Sequence, residues 1–545
     1  MKLTCNNFIS SSSSLISTSK LSIHNLVNLI SVLIVLISLE INSIMSMDPL
    51  VVDGITIDKD TLYKEKWRPQ FHFSPPTSWI NDPNGLTYKD GQYHLFFQYH
   101  PGSVVWGPMH WGHAVSTDLL HWDNLPIALY PNKDGTVFSG SAIVDSTNVT
   151  GLQKDDKSDL LIAIFTRYNE TSPTPQTQHL AYSPDGLVWS LYDNNPILME
   201  QGKPDFRDPS VSRYGDDFIL TLAAGDEARF YKSHNLIDWD YLSSFGSKPR
   251  EGSHAGVWEC PALISLEANG QKFWILLISV NPGGPNTGSA TQYFIGTFDG
   301  TKFINKNPSD RILWMDWGPD NYAAALYTNS PRDKPTLISW MNNWDYGANE
   351  TTKPWRGQMT LPRSVDLIAI NGNDYHLSTF PIDEIINLHS SLLYTFDGEP
   401  ETESLAIQHT SDTYHLESKF KFKSSSFGSV VIKLTNQANG EYVNMKLDNM
   451  RIEIDRSQSG LTNFSSDFTK LIRGSRISSN SELSVDLFFD VSSVELFFDK
   501  GLTSFTYLVY PNQPYDLISI ECTDCTISSI NLYQMKSIWD KVTTL

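Results

Sequence analysis

The sequence predicts an all-β fold, a five-bladed β-propeller followed by a C-terminal β-sandwich. Short runs rich in Val, Ile, Tyr, Phe and Trp alternate with Gly, Pro, Asn and Asp turns, and long amphipathic helical patterns are absent between residues 65 and 390. A motif of strand, Ser or Thr, Asp- or Asn-containing turn and aromatic residue recurs in the same region. From about residue 395 the pattern changes to strict period-two alternation.

The recurring motif ends on one aromatic residue in each copy, at Trp122, Trp189, Trp239 and, more loosely, Phe303. The intervals between these aromatic residues are 67, 50 and 64 residues. A unit of this length holds about four strands with their loops, and repeated four-stranded units close radially into a propeller. Three intervals plus the flanking sequence predict about five blades within residues 66–390.

The second region, residues 395–545, contains strands in which apolar and polar residues alternate. Alternation of this kind buries one face of a sheet, so the region is predicted to be a β-sandwich with a structural or accessory role. The strands are predicted at 414–422, 428–434, 442–447, 451–455, 482–490, 493–499 and 506–510.

The N-terminus, residues 1–47, is predicted to be a signal peptide or signal-anchor, followed by a linker over residues 48–65. Its apolar stretch, residues 26–39, is shorter than the roughly 20 residues that span a membrane, and it suits the core of a signal peptide. We therefore expect a secreted protein or one in the endomembrane or vacuolar lumen. A signal-anchored form stays open. Acceptor triplets for N-glycosylation agree with the secretory route, at Asn148, Asn169, Asn349 and Asn463.

The charge balance excludes two classes of partner. Lys and Arg number 40 against 61 Asp and Glu, a net charge of −21, which argues against nucleic acid and against an anionic membrane surface. The expected partner is a neutral small molecule or polymer, with no cofactor and no metal ion, and the sequence leaves the oligomeric state open. Cys522 and Cys525 are spaced for a local disulfide or two free thiols, and Cys260 stands alone.

Three acidic residues next to prolines carry the predicted chemistry. Asp82 lies in an Asn-Asp-Pro-Asn-Gly turn, Asp208 follows Arg207 and precedes a proline, and Glu259 lies in Trp-Glu-Cys-Pro. They fall in consecutive predicted blades. Because the innermost strands of a propeller converge on its axis, we expect the three carboxylates to meet in one central pocket.

Glycosidic bond cleavage requires such a set, since one carboxylate attacks or stabilises the anomeric carbon and another delivers a proton to the leaving oxygen. Asp82, held by turn amides, is expected to keep a low pKa and act as the nucleophile. Glu259, flanked by Trp258 and Cys260, is expected to favour the protonated form that a general acid needs. Asp208 beside Arg207 is expected to stay ionised and bind sugar hydroxyls.

The motifs together resemble glycoside hydrolase family 32, the β-fructofuranosidases, which include invertases, exo-inulinases, levanases and fructan exohydrolases. The resemblance covers roughly residues 66–540. It is carried by WINDPNG at 79–85, FQYHP at 97–101, WG at 106–107, HWGHA at 110–114, FSGS at 138–141, FRDP at 206–209, WECP at 258–261, WMNNW at 340–344, GQMTLPR at 357–363 and DVSSVELFFDKG at 490–501.

The resemblance implies an exo-acting enzyme that hydrolyses terminal non-reducing β-D-fructofuranosyl residues from sucrose or fructans by a retaining double displacement. Asp82 would be the nucleophile, Glu259 the acid/base and Asp208 the stabiliser of the transition state. The residues implied to bind the terminal fructose are Asn81, Gln98, Trp106, Phe138, Ser139, Arg207 and Trp340.

One position departs from part of the family. Ala262 follows the Trp-Glu-Cys-Pro motif, where plant members specialised for sucrose tend to carry an Asp that helps to hold glucose, so the resemblance favours a broad exo-β-fructosidase. Two alternatives remain at the level of sequence. The same carboxylates serve a fructosyltransferase, and a protein of another class, a catalytically silent sugar-binding protein, has the same architecture.

Overall fold

The computed structural model describes residues 50–154, 158–372, 374–398, 401–423, 428–448 and 450–539. Within these residues the chain is nearly all strand, with only short 3-10 helices at Lys59–Thr61, Gly347–Asn349 and Asp383–Leu388. The predicted signal segment lies outside them. No helix in the described ranges is long and apolar enough to cross a membrane. The predicted linker contains a small hairpin, β1 (Val51–Val52) and β2 (Ile55–Thr56).

Five antiparallel sheets follow one another along the chain and form the blades of the predicted propeller, which is confirmed. Their strands are β3 (Ser78–Lys89), β4 (Gln92–His100), β5 (His110–Ser116), β6 (Asp123–Leu129); β7 (Thr136–Asp145), β8 (Leu160–Tyr168), β9 (Gln176–Ser183), β10 (Ser190–Leu191); β11 (Phe206–Tyr214), β12 (Asp217–Ala224), β13 (Ala228–Ser233), β14 (Asp240–Phe245); β15 (Val257–Ala268), β16 (Gln271–Asn281), β17 (Ala290–Phe298), β18 (Phe303–Asn305), β19 (Leu313–Trp314); and β20 (Tyr322–Leu326), β21 (Thr336–Met341), β23 (Gln358–Met359), β24 (Arg363–Asn371) and β25 (Asp374–Pro381). One further strand, β22 (Trp355–Arg356), joins the first sheet.

The ring is closed by the late strand β22, which leaves the fifth blade and pairs in parallel with the start of β3 in the first. The innermost strands are β3, β7, β11, β15 and β20, and each contacts the next around the axis. One edge of every blade therefore reaches the same central space.

The second region is a sandwich of two six-stranded sheets, as predicted. One sheet has the order β26-β37-β28-β33-β34-β35 and the other β27-β36-β29-β30-β31-β32. The strands are β26 (His389–Asp397), β27 (Ser404–Gln408), β28 (Tyr414–Phe422), β29 (Ser429–Thr435), β30 (Tyr442–Asp448), β31 (Arg451–Asp455), β32 (Ile472–Ser475), β33 (Glu482–Asp490), β34 (Ser493–Phe498), β35 (Thr503–Leu508), β36 (Leu517–Thr523) and β37 (Cys525–Met535).

In the sandwich strands, alternate residues face the core between the two sheets, as the sequence pattern predicts. On β28, Tyr414, Leu416 and Phe420 enter the core between the sheets, where they are almost fully buried. Of the two possibilities for Cys522 and Cys525, the structure has the disulfide. It joins the end of β36 to the start of β37 and thereby links the two sheets.

Candidate active site

Each of the five innermost strands is interrupted by a β-bulge at the same level of the propeller. The pairing register shifts between Ile80 and Pro83 on β3, Val137 and Gly140 on β7, Arg207 and Ser210 on β11, Glu259 and Ala262 on β15, and Tyr322 and Ala325 on β20. A bulge adds one residue to a strand and re-aims the neighbouring side chains. Each blade thereby presents polar side chains to the axis: Asp82, Ser139, Asp208, Glu259 and Tyr322.

Asp82 is fixed by donors on its own and neighbouring blades. The Ser139 hydroxyl donates to Asp82 Oδ2 at 2.6 Å, and Asn81 Nδ2 donates to Oδ1 at 3.0 Å. The indole of Trp79 in turn donates to Asn81 Oδ1 at 2.8 Å. Burial, with a smaller contribution from Glu259, nevertheless raises the pKa of Asp82, against the lowering effect of these bonds. The expectation of a low pKa is therefore wrong, because desolvation outweighs the hydrogen bonds.

Asp208 is buried behind Asp82 and shares a donor with it. Its Oδ2 accepts the backbone N–H of Cys260 at 3.0 Å, and the Cys260 thiol lies 3.6 Å from this oxygen and 3.5 Å from Asp82 Oδ2. Burial raises the pKa of Asp208 to about 7, opposed by Arg207 and reinforced by Glu259 and Asp82. The expectation that Arg207 keeps Asp208 ionised is corrected: burial outweighs the lowering effect of Arg207, whose Nε atom is 4.0 Å away.

Arg207 binds Glu259 instead. Its Nη2 and Nε atoms donate to Glu259 Oε1 at 2.8 and 3.1 Å, and its Nη1 donates to Asp205. The hydroxyl of Tyr322 donates to the other oxygen of Glu259. Glu259 is therefore held on both oxygens by polar groups, which differs from the apolar surroundings expected from its sequence neighbours.

These side chains line one cavity of about 310 Å³ at the axis, a size within the range of small-molecule sites. One wall is aromatic: Phe138 stacks on Tyr168 with ring centroids 4.7 Å apart, and Trp106, 46% exposed, meets Phe138 edge-on. The acids line the same cavity. The full lining is Asn81, Asp82, Gln98, Trp106, Phe138, Ser139, Tyr168, Gln176, Asp205, Arg207, Asp208, Glu259 and Trp344. Such a cavity combines apolar surface for C–H groups with carboxylates for hydroxyl groups.

Two positions singled out in the sequence lie outside this lining. Trp340 is completely buried behind the wall, packed between Trp79 and Trp344, so the second tryptophan of the same motif faces the cavity instead. Ala262 packs in the core of the fourth blade and also lines a narrower space nearer the axis. Ala262 is absent from the lining of the 310 Å³ cavity, but it shares the narrower space with Asp208 and Ser139.

Five residues that sequence reasoning missed belong to the site. Asp205 precedes the Phe-Arg-Asp-Pro motif and Trp344 ends the WMNNW motif, so their positions were a usable signal. Tyr322 lies on β20 outside the motifs that indicated the family. Tyr168 and Gln176 lie on β8 and β9 outside any motif. Only the stacking of the second blade against the first brings them to the cavity.

Comparison with known proteins agrees with this geometry. Residues 72–381 match the family model of the glycosyl hydrolases family 32 N-terminal domain, and residues 390–534 match that of the family 32 C-terminal region. A levanase of Bacillus subtilis is 38% identical over 492 residues, covering 88% of this chain and 72% of the relative. An extracellular exo-inulinase of Aspergillus awamori is 36% identical over 522 residues, covering 88% and 96%. The crystal structure of exo-inulinase from that fungus superposes with a TM-score of 0.81 at 34% identity, over 88% of this chain and 100% of the other.

Proposed function

The chain belongs to glycosyl hydrolase family 32, and from this premise we propose that it is an exo-acting β-fructofuranosidase that releases terminal fructose from sucrose or fructans. The observation that carries the proposal is the meeting of Asp82, Asp208 and Glu259 at one cavity with an aromatic wall. Family membership and the names of the relatives support hydrolysis of β-fructosides.

We assign the roles of the acids from their contacts. Asp82, held by Ser139 and Asn81, would attack the anomeric carbon of the terminal fructose and form a covalent intermediate. Glu259 would protonate the leaving oxygen and then activate the water that releases fructose. This double displacement retains the anomeric configuration and needs the two carboxyl groups about 5–5.5 Å apart.

The contacts of Glu259 bear on both proton transfers. As a general acid, Glu259 must present a protonated oxygen to the leaving group. One of its two hydrogen-bond partners must therefore release the oxygen that it contacts. Tyr322 is the partner that can do so at least cost, because its hydroxyl hydrogen rotates freely, whereas the Arg207 guanidinium is fixed by Asp205. In the second step both partners stabilise the carboxylate that activates water.

Asp208 would bind fructose hydroxyl groups and stabilise charge in the transition state. With a pKa raised to about 7 by burial, it is only partly ionised near neutral pH in the free protein. A sugar hydroxyl that donates to the carboxylate would favour ionisation, so binding of substrate and charging of Asp208 would reinforce each other.

We also propose that the protein enters the secretory pathway, since the relative from Aspergillus awamori is named as extracellular. Three acceptor asparagines are exposed, namely Asn148, Asn349 and Asn463, and Asn169 is partly exposed, so all are within reach of a glycan. We assign residues 66–390 to the catalytic domain and residues 395–545 to the sandwich domain.

Initial rates of the purified protein on sucrose, inulin and levan test the proposal, with Asp82→Asn as the inactive control. We expect fructose as the product from all three substrates. From concentrated sucrose, equal release of glucose and fructose indicates hydrolysis, whereas a large excess of glucose identifies a fructosyltransferase. Binding of a fructoside without turnover would identify a silent sugar-binding protein and contradict the proposal.

A further inference from the structure

A second group of ligating side chains lies on the sandwich, far along the chain from the three acids. His415 and Glu417 are two residues apart on β28, so both point to the face opposite the sandwich core. Asp486 on the neighbouring strand β33 is directly opposite Glu417 in the pairing register. One nitrogen or oxygen atom from each of the three side chains lies within 4.8 Å of the other two.

The imidazole of His415 is buried and rigidly held. The residue is 3% exposed, its ring stacks on Phe488 with centroids 3.9 Å apart, and its Nδ1 lies 3.1 Å from Nε2 of His389. Its Nε2 makes no hydrogen bond within the residues that the structure describes and points toward Asp486, whose Oδ1 is 3.4 Å away. The nitrogen is thus buried without a hydrogen bond in the described chain, and the charged atom facing it is a carboxylate oxygen 3.4 Å away, an arrangement that a cation held by both atoms would satisfy.

The spacing suits a metal ion. Two ligand atoms about 2.1 Å from a tetrahedral ion are about 3.4 Å apart, which is the separation of His415 Nε2 and Asp486 Oδ1. Glu417 is partly exposed and held by a weak 3.5 Å bond from Asn531, so its side chain is free to complete the set. A single imidazole with two carboxylates is a donor set that Zn²⁺ accepts.

The charges of the two carboxylates also favour a bound cation. Glu417 and Asp486 are like charges directly opposite each other on paired strands, an arrangement that destabilises a sheet. Lys500 donates to both oxygens of Asp486, at 3.1 and 3.2 Å, but its own side chain is 59% exposed. Glu417 forms no ion pair among the described residues. Lys500 therefore compensates Asp486, and a divalent cation between the two acids would also compensate Glu417.

We propose that His415, Glu417 and Asp486 bind one Zn²⁺ ion, with water as the fourth ligand. With the ion on Nε2, the His415 proton would be on Nδ1, which lies 3.1 Å from His389 Nε2 and would donate to it. The ion joins β28 to β33 and its role is structural. The site is independent of the proposed β-fructofuranosidase activity.

The test is isothermal titration calorimetry of ZnCl₂ into the untagged, chelator-dialysed protein, together with the melting temperature with and without Zn²⁺. We expect one ion per chain and a higher melting temperature. Glu417→Gln, which keeps an acceptor for Asn531, is expected to weaken binding about tenfold or more. Glu453→Gln, on the other sheet and paired with Arg473, is the matched control and is expected to bind as the unaltered protein does.

Anomalous diffraction at the zinc edge from crystals of the unaltered protein locates the ion independently of any variant. Density between His415 and Asp486 supports the proposal. Absence of binding at millimolar Zn²⁺, equal affinity of Glu417→Gln and the unaltered protein, or an ion found only at the carboxylates of the propeller would overturn it.

Discussion

At the scale of single residues, the site shows that neighbours in sequence are poor guides to electrostatic partners. Arg207 and Asp208 are adjacent, yet the guanidinium binds Glu259, on another blade, more closely than Asp208. Successive side chains on a strand point to opposite faces, and a bulge at this point turns Asp208 toward the axis. Burial then raises the pKa of both Asp82 and Asp208.

Removal of the Ser139 hydroxyl is predicted to shift the acidic limb of the pH profile of kcat/KM to higher pH. Ser139 donates to the Asp82 carboxylate at 2.6 Å and so lowers its pKa. In Ser139→Ala the pKa of Asp82 rises further, a smaller fraction is ionised at acid pH, and the acidic limb of kcat/KM moves to higher pH. Ser212→Ala, whose hydroxyl makes no hydrogen bond in the described chain, is the control and leaves the limb in place.

The roles proposed for Asp82 and Glu259 predict that substitution of each acid affects substrates with different leaving groups differently. Asp82→Asn is expected to lower kcat at least about a thousandfold for every substrate, because no nucleophile remains. Glu259→Gln is expected to lose much more activity on sucrose than on an aryl β-fructofuranoside, whose phenolate leaves without a proton. Steady-state kinetics on both substrates checks this. Equal losses in Glu259→Gln would contradict its role as the acid.

At the scale of elements, the repeat motif is a turn with a defined hydrogen-bond pattern. In the first four blades, an Asp or Asn oxygen accepts the backbone N–H groups two and three residues later, which caps the connection from the third to the fourth strand. The acceptors are Asp118, Asp185, Asn235 and Asp299. The motif is therefore structural, and the bulges on the innermost strands are what carry function.

The bulge on β7 depends on a glycine directly after Ser139. A Cβ at Gly140 would lie 2.2 Å from the backbone oxygen of Ile164, so only glycine allows β8 to approach this closely. Gly140→Ala is predicted to lower the free energy of unfolding by about 1–3 kcal/mol and to reduce activity by displacing Ser139.

Chemical denaturation and kcat/KM measure the two effects of Gly140→Ala. Gly102→Ala is the control, because the nearest atom to a Cβ there is His100 Nε2 at 3.7 Å, and it is expected to change neither value. Unchanged stability of Gly140→Ala would contradict the close approach of the two strands.

At the scale of the whole molecule, buried charges connect the propeller to the sandwich. His72 lies between two sandwich carboxylates, with Nδ1 2.8 Å from Asp490 and Nε2 2.9 Å from Glu495. Arg363 on β24 also binds Glu495, and its Nη1 binds Asp316 at 2.9 Å. Loss of one member of such a network leaves an unpaired buried charge, which destabilises strongly.

This junction predicts a pH dependence of stability. Burial alone lowers the pKa of His72, but the bonds to Asp490 and Glu495 outweigh it and raise the pKa from 6.5 to about 9. The stabilisation is therefore complete below pH 6.5 and is lost as the pH rises through 9. It amounts to about 3 kcal/mol.

His72→Asn is expected to remove that dependence. The difference in free energy of unfolding between the unaltered protein and His72→Asn should shrink between pH 6 and pH 10, as measured by urea denaturation. A difference for His72→Asn that is independent of pH would show that folding does not raise the pKa of His72 and would contradict the prediction.

Much of this protein could be predicted from the sequence. The spacing of the closing aromatic residues predicted five blades, the period-two strands predicted the sandwich, and the turns around Asp82, Asp208 and Glu259 predicted a shared pocket. These signals are local, since they depend on turn chemistry and on the alternation of side chains along one strand. Structure that depends only on neighbouring residues can be predicted from the sequence without knowledge of the fold.

The tertiary structure alone decided which groups touch. It paired Arg207 with Glu259, placed Trp344 and not Trp340 at the cavity, and set the Tyr322 hydroxyl against Glu259. It also brought His415 to Asp486 across two strands. Contacts and pKa values depend on desolvation and on distances between segments far apart in the chain, and the packing of whole blades and sheets sets both.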